Sequence, residues 1–528
     1  MVGVLTAMLL AALDQTIVST ALPRIVQELH GLDRLTWVVT AYLLTSTITV
    51  PIYGKLSDQY GRRAFLIAAV LIFLLGSVLS GQSQTMTQLI VFRGLQGIGG
   101  GAIMANAFAI IGDLFTPAER GRWQGVVGGV FGLASIVGPA LGGFLTDHGS
   151  WRWTFYVNVP VGIVALALLI FLLPTILPAE GKPKIDYLGA GLLASGLVAL
   201  LLGCIWGGSR YDWFDPREYV ILDLSAFLLL MFGLAEQRAA QPILPLDLFK
   251  NKTFSLSMAA VFLAGVAMFG AILYIPLFAQ NVLGVSATSS GTILTPLMLG
   301  LVAASALSGQ LTSRTGRYKI QASVGMAIVT GSLLWMSLIT QTVIRTELIM
   351  RMILLGIGLG ITMPIFNLAV QNAFSRKYLG VVSASTQLFR SIGGTVGVAV
   401  LGSVLNQKLR TNASELLNNP ATQPDASFIA AQLHRPTFDS IALQNFLNPQ
   451  LQPLLVSTNK GMDAFLLAAK SAYTGAVTEV FLVASILTGA AFVLTLFLPD
   501  IALQRSESPL EQVAEGVEEG TSQPVMSA

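Results

Sequence analysis

Apolar stretches of roughly 18 or more residues recur along most of this 528-residue chain. Each stretch is long enough to cross about 30 Å of bilayer hydrocarbon as an α-helix. Only 11% of the residues are charged and 54% are hydrophobic, whereas a soluble domain carries about 25% charged residues. The chain is therefore predicted to be an all-α membrane protein embedded in the lipid bilayer.

Fourteen transmembrane helices are predicted from these stretches. The first stretch lacks a basic leading segment and many further spans follow it, so we interpret it as a helix and not as a signal peptide. The spans are predicted at 3–22, 36–54, 64–82, 86–110, 123–145, 154–174, 187–206, 218–235, 254–280, 287–311, 320–340, 346–369, 380–404 and 475–498.

The distribution of basic residues predicts the orientation of the chain. An even number of spans places both termini on one side of the membrane. Loops on that side hold fifteen Lys and Arg residues, whereas the short loops on the other side hold six. Basic loops stay in the cytoplasm. Both termini are therefore predicted to be cytoplasmic, in a multi-pass protein of the cell (inner) membrane.

The sequence contains an internal repeat. GKLSDQYGR at 54–62 matches GQLTSRTGR at 309–317, with Gly, Leu, Gly and Arg at identical spacing and an offset of 255 residues. At the same offset, GPALGG at 138–143 falls on GGTVGV at 393–398. Matches in the same order indicate two homologous halves.

The offset predicts how the helices are divided. At about thirty residues per span and loop, 255 residues correspond to eight helices, not six. Because eight is an even number, the two halves have the same orientation in the membrane, as in the parallel repeats of secondary transporters. We therefore predict a six-helix bundle at 1–175, two inserted helices at 187–235 and a second six-helix bundle at 254–498. Residues 405–474 are predicted to be an extracellular loop with short amphipathic pieces, and the glutamate-rich residues 501–528 a disordered cytoplasmic tail.

Asp14 is an acid near the middle of the first span. No basic residue lies within a helical turn of it, from Leu9 to Ser19. Burying an unpaired carboxylate in hydrocarbon is costly, so such an acid usually faces a cavity or a proton path. Asp14 therefore predicts proton movement, and the alternative is a helix-to-helix hydrogen bond. Neither repeated half supplies a second mid-membrane acid.

Four segments resemble signatures of the major facilitator superfamily. GKLSDQYGRRAFL at 54–66 is similar to its loop between helices 2 and 3, and FRGLQGIGGG at 92–101 to its helix 4 motif. GLASIVGPALGG at 132–143 resembles its helix 5 antiporter motif. LDQTIVSTALP at 13–23 resembles the helix 1 signature of the fourteen-helix drug:proton antiporters of the EmrB/QacA type. The resemblance covers nearly all of residues 1–500.

The resemblance implies a role for the arginine of the helix 4 motif. Arg93 would polarise the proton site on the helix of Asp14. Because Arg93 is near the start of its span, the alternative is that it snorkels to the external surface. Arg351 and Arg390 are similarly placed in the second half.

The resemblance also implies that the loop at 54–66 latches a cytoplasmic gate. Its glycines permit a short turn, its aspartate can cap a helix or pair with a cation, and its arginines anchor the inner face. The alternative is a topology anchor only. The gate residues are Gly54, Asp58, Gly61, Arg62 and Arg63.

The fifth span contains glycines at small-xxx-small spacings, which permit close approach of another helix. Pro139 in the same span offers a bend. The antiporter motif, Gly138, Pro139, Gly142 and Gly143, is explained either by packing or by a hinge or seal against ion leak.

Polar residues at mid-span are the candidates for a substrate pocket with mostly apolar walls. Few charges among them favour a hydrophobic, or a cationic, substrate. The pocket candidates are Gln15, Asn106, Asn158, Asn367 and Gln387, with Phe131, Tyr274 and Met363 as walls.

These observations predict a transporter that exports hydrophobic or cationic drugs in exchange for protons. It would need no cofactor beyond the proton gradient, bind no nucleic acid and act as a monomer. One alternative is a lipid or siderophore exporter that meets an external partner at the loop 405–474, and another is a non-transporting sensor. No metal-ligand spacing, catalytic residues or enzyme motif is present, which argues against an enzyme.

Overall fold

Long apolar helices make up most of the chain in the computed structural model. The structure describes residues 1–29, 34–173, 186–207, 215–239, 242–285, 293–375, 378–420, 422–432, 440–447 and 463–500. Within these ranges, twelve helices are long and apolar enough to cross a membrane, and the apolar stretch Val2–Val18 adds a shorter one. The predicted tail, 501–528, lies outside the described residues.

Every predicted span overlaps a helix or a helix pair, and residues 287–292 of the tenth span lie outside the described residues. The helices are α1 Val2–Leu29, α2 Leu35–Tyr60, α3 Arg62–Gly81, α4 Met86–Leu114, α5 Pro117–His148, α6 Trp153–Tyr156, α7 Asn158–Leu172, α8 Tyr187–Trp206, α9 Pro216–Arg238, α10 Lys252–Asn281, α11 Thr295–Thr315, α12 Lys319–Met336, α13 Arg345–Asn372, α14 Leu379–Asn418, α15 Gln423–Gln432, α16 Ser440–Leu447 and α17 Asp463–Leu496.

Local sequence signals define where several helices begin. Thr116 and Glu119 form a reciprocal capping box at the start of α5, with Pro117 in the first turn. The Asn251 side chain caps α10 by accepting from two backbone N–H groups. Such caps satisfy donors that have no partner within the helix.

The long helices form two bundles of the same construction. In the first, α1 packs against α4, α5 and α7, and α3 packs against α4 and α7. In the second, α10 packs against α14 and α17, while α13 packs against α11 and α12. This is the major facilitator fold that the sequence predicts, and α6 and α7 together fill one of its predicted spans.

The two inserted helices, α8 and α9, form a hairpin. They pack on each other, and the Ser225 hydroxyl donates to the Gly196 carbonyl at 3.0 Å. Only α8 makes extensive contact with the bundles, against α2 and α14. Leu193 and Leu197 of α8 join an apolar cluster that also contains Ile48 of α2 and Leu388 of α14. The hairpin therefore covers one of the two seams between the bundles.

The bundles meet at the end where α2 ends and α3 begins, which we call the Arg62 end. A Cβ on Gly54 would lie 2.6 Å from the Cβ of Ala384. In the repeated segment, a Cβ on Gly309 would collide with the Gly121 carbonyl oxygen of α5. The two repeated glycines thus have the same structural role, because each allows a helix of one bundle to contact a helix of the other.

The predicted loop at 405–474 is wrong where the structure describes it. Helix α14 continues to Asn418 and α17 already begins at Asp463, so both helices run past their predicted spans. Leu409, Ile429 and Phe446 are fully enclosed in the apolar cluster of the second bundle. The amphipathic pieces predicted within this segment correspond to α15 and to the start of α17, where apolar residues at helical spacing bury one face of each piece. Residues 433–439 and 448–462 lie outside the described residues.

The contact between Gly309 and Gly121 predicts a conformational effect of one methyl group. Gly309→Ala should increase the separation of the bundles at the Arg62 end, because its Cβ would displace the backbone of α5. Spin labels at Tyr60→Cys and Arg314→Cys, in a Cys204→Ser background, allow this separation to be measured by pulsed electron–electron double resonance. The distance between the labels should be longer in Gly309→Ala than in the protein with Gly309. Gly143→Ala is the matched control, since a Cβ there meets nothing within 4 Å. Identical distance distributions for the two variants would contradict this account.

Candidate functional site

A buried polar cluster surrounds Asp14 in the first bundle. Arg93 Nη1 donates to Asp14 Oδ2 at 2.5 Å. The side-chain amides of Gln96 and Asn158 both donate to Asp14 Oδ1 at 2.8 Å. Asp14 is 0% exposed and Arg93 1% exposed. As arranged, all three partners are donors, so the cluster complements the ionised carboxylate.

Arg93 is held from several directions at once. Its Nε donates to the Val38 carbonyl at 3.2 Å, and its guanidinium lies 4.4 Å from the centre of the Tyr42 ring. The expectation that Asp14 faces a cavity unpaired is wrong in this conformation, because α4 supplies a cation that the sequence near Asp14 lacks. The alternative of a snorkelling Arg93 is also wrong, since its charge is enclosed by protein.

The sequence does not predict the roles of Asn158 and Gln96 in this cluster. Asn158 is predicted to line a substrate pocket, but it bridges Asp14 and the Ser77 hydroxyl, 3.0 Å away. Gln96 is missed by the sequence analysis. The available signal was its position three residues after Arg93, which places both side chains on one face of α4.

The antiporter motif positions α1 beside this cluster. A Cβ on Gly138 would collide with Thr16 Oγ1, so α5 contacts α1 two residues from Asp14. The Thr16 hydroxyl also lies 3.0 Å from the Ala134 carbonyl. Pro139 and the buried Gly142 continue along α5, whereas a Cβ on Gly143 would meet nothing within 4 Å. Packing thus accounts for Gly138 but not for Gly143.

The gate motif forms a second charge cluster, at the Arg62 end. Arg62 pairs with Asp58, donates to Asp113 Oδ2 through Nε at 2.8 Å, and donates to the Ser57 hydroxyl at 2.7 Å. Asp113 ends α4 and is missed by the sequence analysis, because nothing in its neighbourhood distinguishes it from a surface acid. A Cβ on Gly380 of α14 would collide with the Asp58 carboxylate. The cluster therefore lies directly at the seam between the bundles.

Gly61 and Arg63 act at the same turn in different ways. Gly61 has a φ of 100°, a conformation that favours glycine, and it lets α3 begin one residue after α2 ends. Arg63 Nη2 donates to the Ile170 carbonyl of α7. Arg63 therefore ties two helices of the first bundle together.

A cavity lies between α10, α13 and α14 in the second bundle. Among the residues that line it are Val261, Met268, Met363, Phe366 and Arg390. Met363 was predicted to be a pocket wall. Arg390 is one of the interior arginines that the sequence analysis names, and it is not among the predicted pocket residues.

The other pocket candidates are dispersed. Gln387 accepts a hydrogen bond from Arg390 at 3.1 Å and so lies beside the cavity. Asn367 is buried one turn from Met363, and its Oδ1 atom has no partner. Asn106 is buried in the first bundle, and Gln15 is exposed one residue from Asp14.

Tyr274 does not line the cavity between α10, α13 and α14. It is 3% exposed, and its hydroxyl donates to the Val398 carbonyl at 2.9 Å, which joins α10 to α14. A large amphipathic ring at mid-span is equally suited to packing between helices, and the sequence alone does not distinguish the two roles.

The family pattern described as Major Facilitator Superfamily matches residues 4–398. The chain belongs to the major facilitator superfamily. It is 39% identical to multidrug transporter protein MdtP of Bacillus subtilis (strain 168), over 97% of this chain and 95% of that protein. It is 36% identical to multidrug resistance protein 3 of the same organism, over 94% of each.

A solved structure supports the fold. The human organic anion transporter MFSD10 has a TM-score of 0.58 to this chain at 15% identity, covering 92% of this chain and 98% of that one. At this identity the likeness shows the fold alone. Membership of the family makes the chain a membrane transporter and not an enzyme.

The ion pair between Asp14 and Arg93 predicts non-additive effects on stability. Asp14→Asn should lower the free energy of unfolding by about 3–5 kcal/mol, because it leaves a buried guanidinium without a counter-charge. Asp14→Asn combined with Arg93→Gln should cost less than the two single substitutions together. Cys204 is buried and is the chain's single cysteine, so heating in detergent with a thiol-reactive fluorophore reports unfolding. Additive losses would show that the two residues are not energetically coupled.

Proposed function

We propose that this protein is a proton-coupled multidrug efflux antiporter. The observation that carries the proposal is the fully buried pair of Asp14 and Arg93 in the first bundle. An ionisable residue enclosed within membrane helices is costly and usually serves transport. Two relatives that are called multidrug transporters or resistance proteins, and that align over nearly the full chain, support the assignment.

Protonation of Asp14 is the coupling step. A proton that enters from the outside adds to the Asp14 carboxylate and removes its charge. The neutral side chain no longer balances the guanidinium of Arg93, so α1 and α4 lose their strongest interaction. Release of the proton to the cytoplasm restores the ion pair. Substrate export is coupled because the two forms of Asp14 favour different arrangements of the bundles.

The gate motif stabilises one of these arrangements. With the predicted orientation, the Arg62 end faces the cytoplasm and both termini lie there. The contacts of Gly54 with Ala384 and of Gly309 with Gly121 close this end. The pairing of Arg62 with Asp58 and Asp113 fixes the helices that meet there. These contacts support a gate that is closed to the cytoplasm in this conformation and that rocking of the two bundles would open.

Both charge clusters are formed by helices of one chain, which supports the proposal that a monomer transports the substrate. The ends of α14 and α17 that extend past their predicted spans, together with α15 and α16, form a folded cap on the second bundle. This cap is the surface at which an external partner would bind.

Replacing Asp14 tests proton coupling directly. In proteoliposomes with an acidic outside buffer, the wild-type protein should move at least one of a panel of anionic, neutral and cationic fluorescent dyes against its gradient. Asp14→Asn should abolish this accumulation while dye exchange without a proton gradient continues, because asparagine mimics the neutral carboxyl group.

Glu28→Gln is the matched control, since Glu28 is an acid of the same helix with 40% of its side chain exposed. It should transport as the wild type does. Proton-driven accumulation that survives in Asp14→Asn would rule out Asp14 as the coupling residue. Failure of the wild type to move any dye in response to the gradient would overturn the proposed function itself.

The cap distinguishes drug export from export of a lipid or siderophore. Replacing residues 423–447 by a short Gly-Ser linker removes α15 and α16. A drug pump should retain most of its dye efflux, because the transport path lies between the bundles. Loss of efflux in a folded protein would instead favour an exporter that hands its substrate to an external partner.

A further inference from the structure

The guanidinium of Arg93 has partners on α2 as well as on α1. Its Nε atom donates to the Val38 carbonyl at 3.2 Å, and its Cζ atom lies 4.4 Å from the centre of the Tyr42 ring. The Phe155 ring is farther away, at 5.9 Å. Val38 and Tyr42 are one turn apart, so one face of α2 meets the arginine. Because the face of an aromatic ring attracts a cation, Arg93 is held between the Asp14 carboxylate and the Tyr42 ring.

Several contacts fix the Tyr42 ring in this position. Its hydroxyl is hydrogen-bonded to the side chain of Gln15, the residue that follows Asp14 on α1. A Cβ on Gly97 of α4 would collide with the Tyr42 carbonyl oxygen, and a Cβ on Gly100 would collide with the Tyr42 hydroxyl. Glycine at both positions therefore lets α4 pack directly against the tyrosine, from its backbone to its hydroxyl.

Helices α2 and α4 form one unit along their shared length. The Thr45 hydroxyl donates to the Gly94 carbonyl at 2.8 Å, and a Cβ on Gly101 would collide with the Ser46 carbonyl oxygen. The unit reaches the Arg62 end, where Arg62 pairs with an aspartate of each helix. It therefore connects the buried charge cluster to the helix ends that close against the second bundle.

Neutralising Asp14 leaves the guanidinium with neutral partners. Besides the Val38 carbonyl, the Gln96 side-chain oxygen accepts from Arg93 Nη1 at 2.8 Å. The Tyr42 ring lies under the delocalised charge itself. Arginine does not lose its own proton, so its charge must be balanced in place within the membrane interior. The contribution of the ring to this balance grows when the carboxylate is neutral.

We propose that Tyr42 is a positioning residue of the proton-coupling step, which holds Arg93 on α2 while the Asp14 carboxylate is protonated. The inference rests on the proposed antiport function and adds a residue to it. Protonation frees α1 from an α2–α4 unit that keeps its arginine in place, and loss of the proton returns the carboxylate to the same guanidinium. The arginine therefore stays with the helices of the gate, and α1 is the helix that is released.

The pH dependence of transport should follow from this role. In the described part of the chain, Arg93 of α4 is the ion-pair partner of Asp14, and Tyr42 is the titratable side chain beside the pair. The other helices packed around the pair present neutral groups, namely the Ala134 carbonyl of α5, Phe155 of α6 and Asn158 of α7. Removing the ring destabilises the form with neutral Asp14 more than the ionised form. Tyr42→Leu should therefore need an outside buffer that is more acidic by about half to one and a half pH units for the same dye accumulation in proteoliposomes.

A stability comparison in two backgrounds tests the inference without transport. Thermal unfolding of the purified full chain in detergent is followed with the thiol-reactive fluorophore at the buried Cys204. Tyr42→Leu should lower the midpoint temperature more in the Asp14→Asn protein than in the protein with Asp14, because the two positions are coupled through the same guanidinium. A ring that serves only to pack the helices would cost the same in both backgrounds.

Two further variants separate charge from packing. Tyr42→Phe removes the hydroxyl contact with Gln15 and keeps the ring, so its cost should be the same in both backgrounds. Tyr42→trifluorophenylalanine keeps the shape of the ring but weakens its negative face. Relative to Tyr42→Phe, it should lower the midpoint temperature mainly in the Asp14→Asn protein. Because it fills the same space, this comparison does not depend on whether the leucine variant folds.

Tyr53→Leu is the matched control, since Tyr53 is a half-buried tyrosine about three turns along the same helix that packs against Phe65. It should cost the same in both backgrounds. Equal costs of Tyr42→Leu in the two backgrounds would overturn the inference. So would a trifluorophenylalanine variant that unfolds as Tyr42→Phe does in both.

The outcomes for Tyr42 and for proton coupling are distinguishable. If the cost of Tyr42→Leu depends on Asp14 but no dye is moved by a pH gradient, Tyr42 holds Arg93 and the antiporter proposal fails. If the gradient moves dyes through Tyr42→Leu with the wild-type pH dependence, the antiporter proposal stands and the role of Tyr42 in coupling is wrong.

Discussion

A carboxylate and a guanidinium that neutralise each other inside the membrane are the interaction on which this structure depends. Asp14 and Arg93 lie on different helices, and neither has water to solvate it. Each would be costly alone in hydrocarbon, and together they hold α1 against α4. The side-chain amides of Gln96 and Asn158 both donate to Oδ1 of Asp14, so each carboxylate oxygen accepts at least one hydrogen bond. Because the pair depends on the charge of one carboxylate, neutralising Asp14 would leave the buried Arg93 without its counter-charge.

The second requirement is close contact between helices from opposite bundles. Gly54 and Gly309 occupy equivalent positions of the repeat, and each removes the side chain that would keep the bundles apart. Of the two repeated segments, the one that contains Gly54 has an aspartate at the position where the other has a serine. Arg62 has Asp58 and Asp113 as partners, whereas the repeated segment has Ser313 where the first has Asp58. The seam is therefore symmetric in its backbone and asymmetric in its charge.

The two bundles differ in how they balance interior charge. The first bundle encloses a complete ion pair. The second places Arg390 beside a cavity without a carboxylate partner in the described residues. The two halves of the repeat therefore differ in their interior charges although their helices pack in the same pattern.

The sequence by itself determined the fold class, the positions of most membrane helices and the repeat, and it singled out Asp14 as a buried acid. These follow from hydropathy and spacing, which are local properties of the chain, whereas Arg93 and Arg62 were singled out by the resemblance to a family. The sequence did not determine that Asn158 contacts Asp14, since the two residues are 144 positions apart. Nor did it reveal Asp113 beside Arg62 or the extension of α14 to Asn418. Only the tertiary structure decided these points, because the rotation and depth of each helix are set by packing against helices distant in sequence.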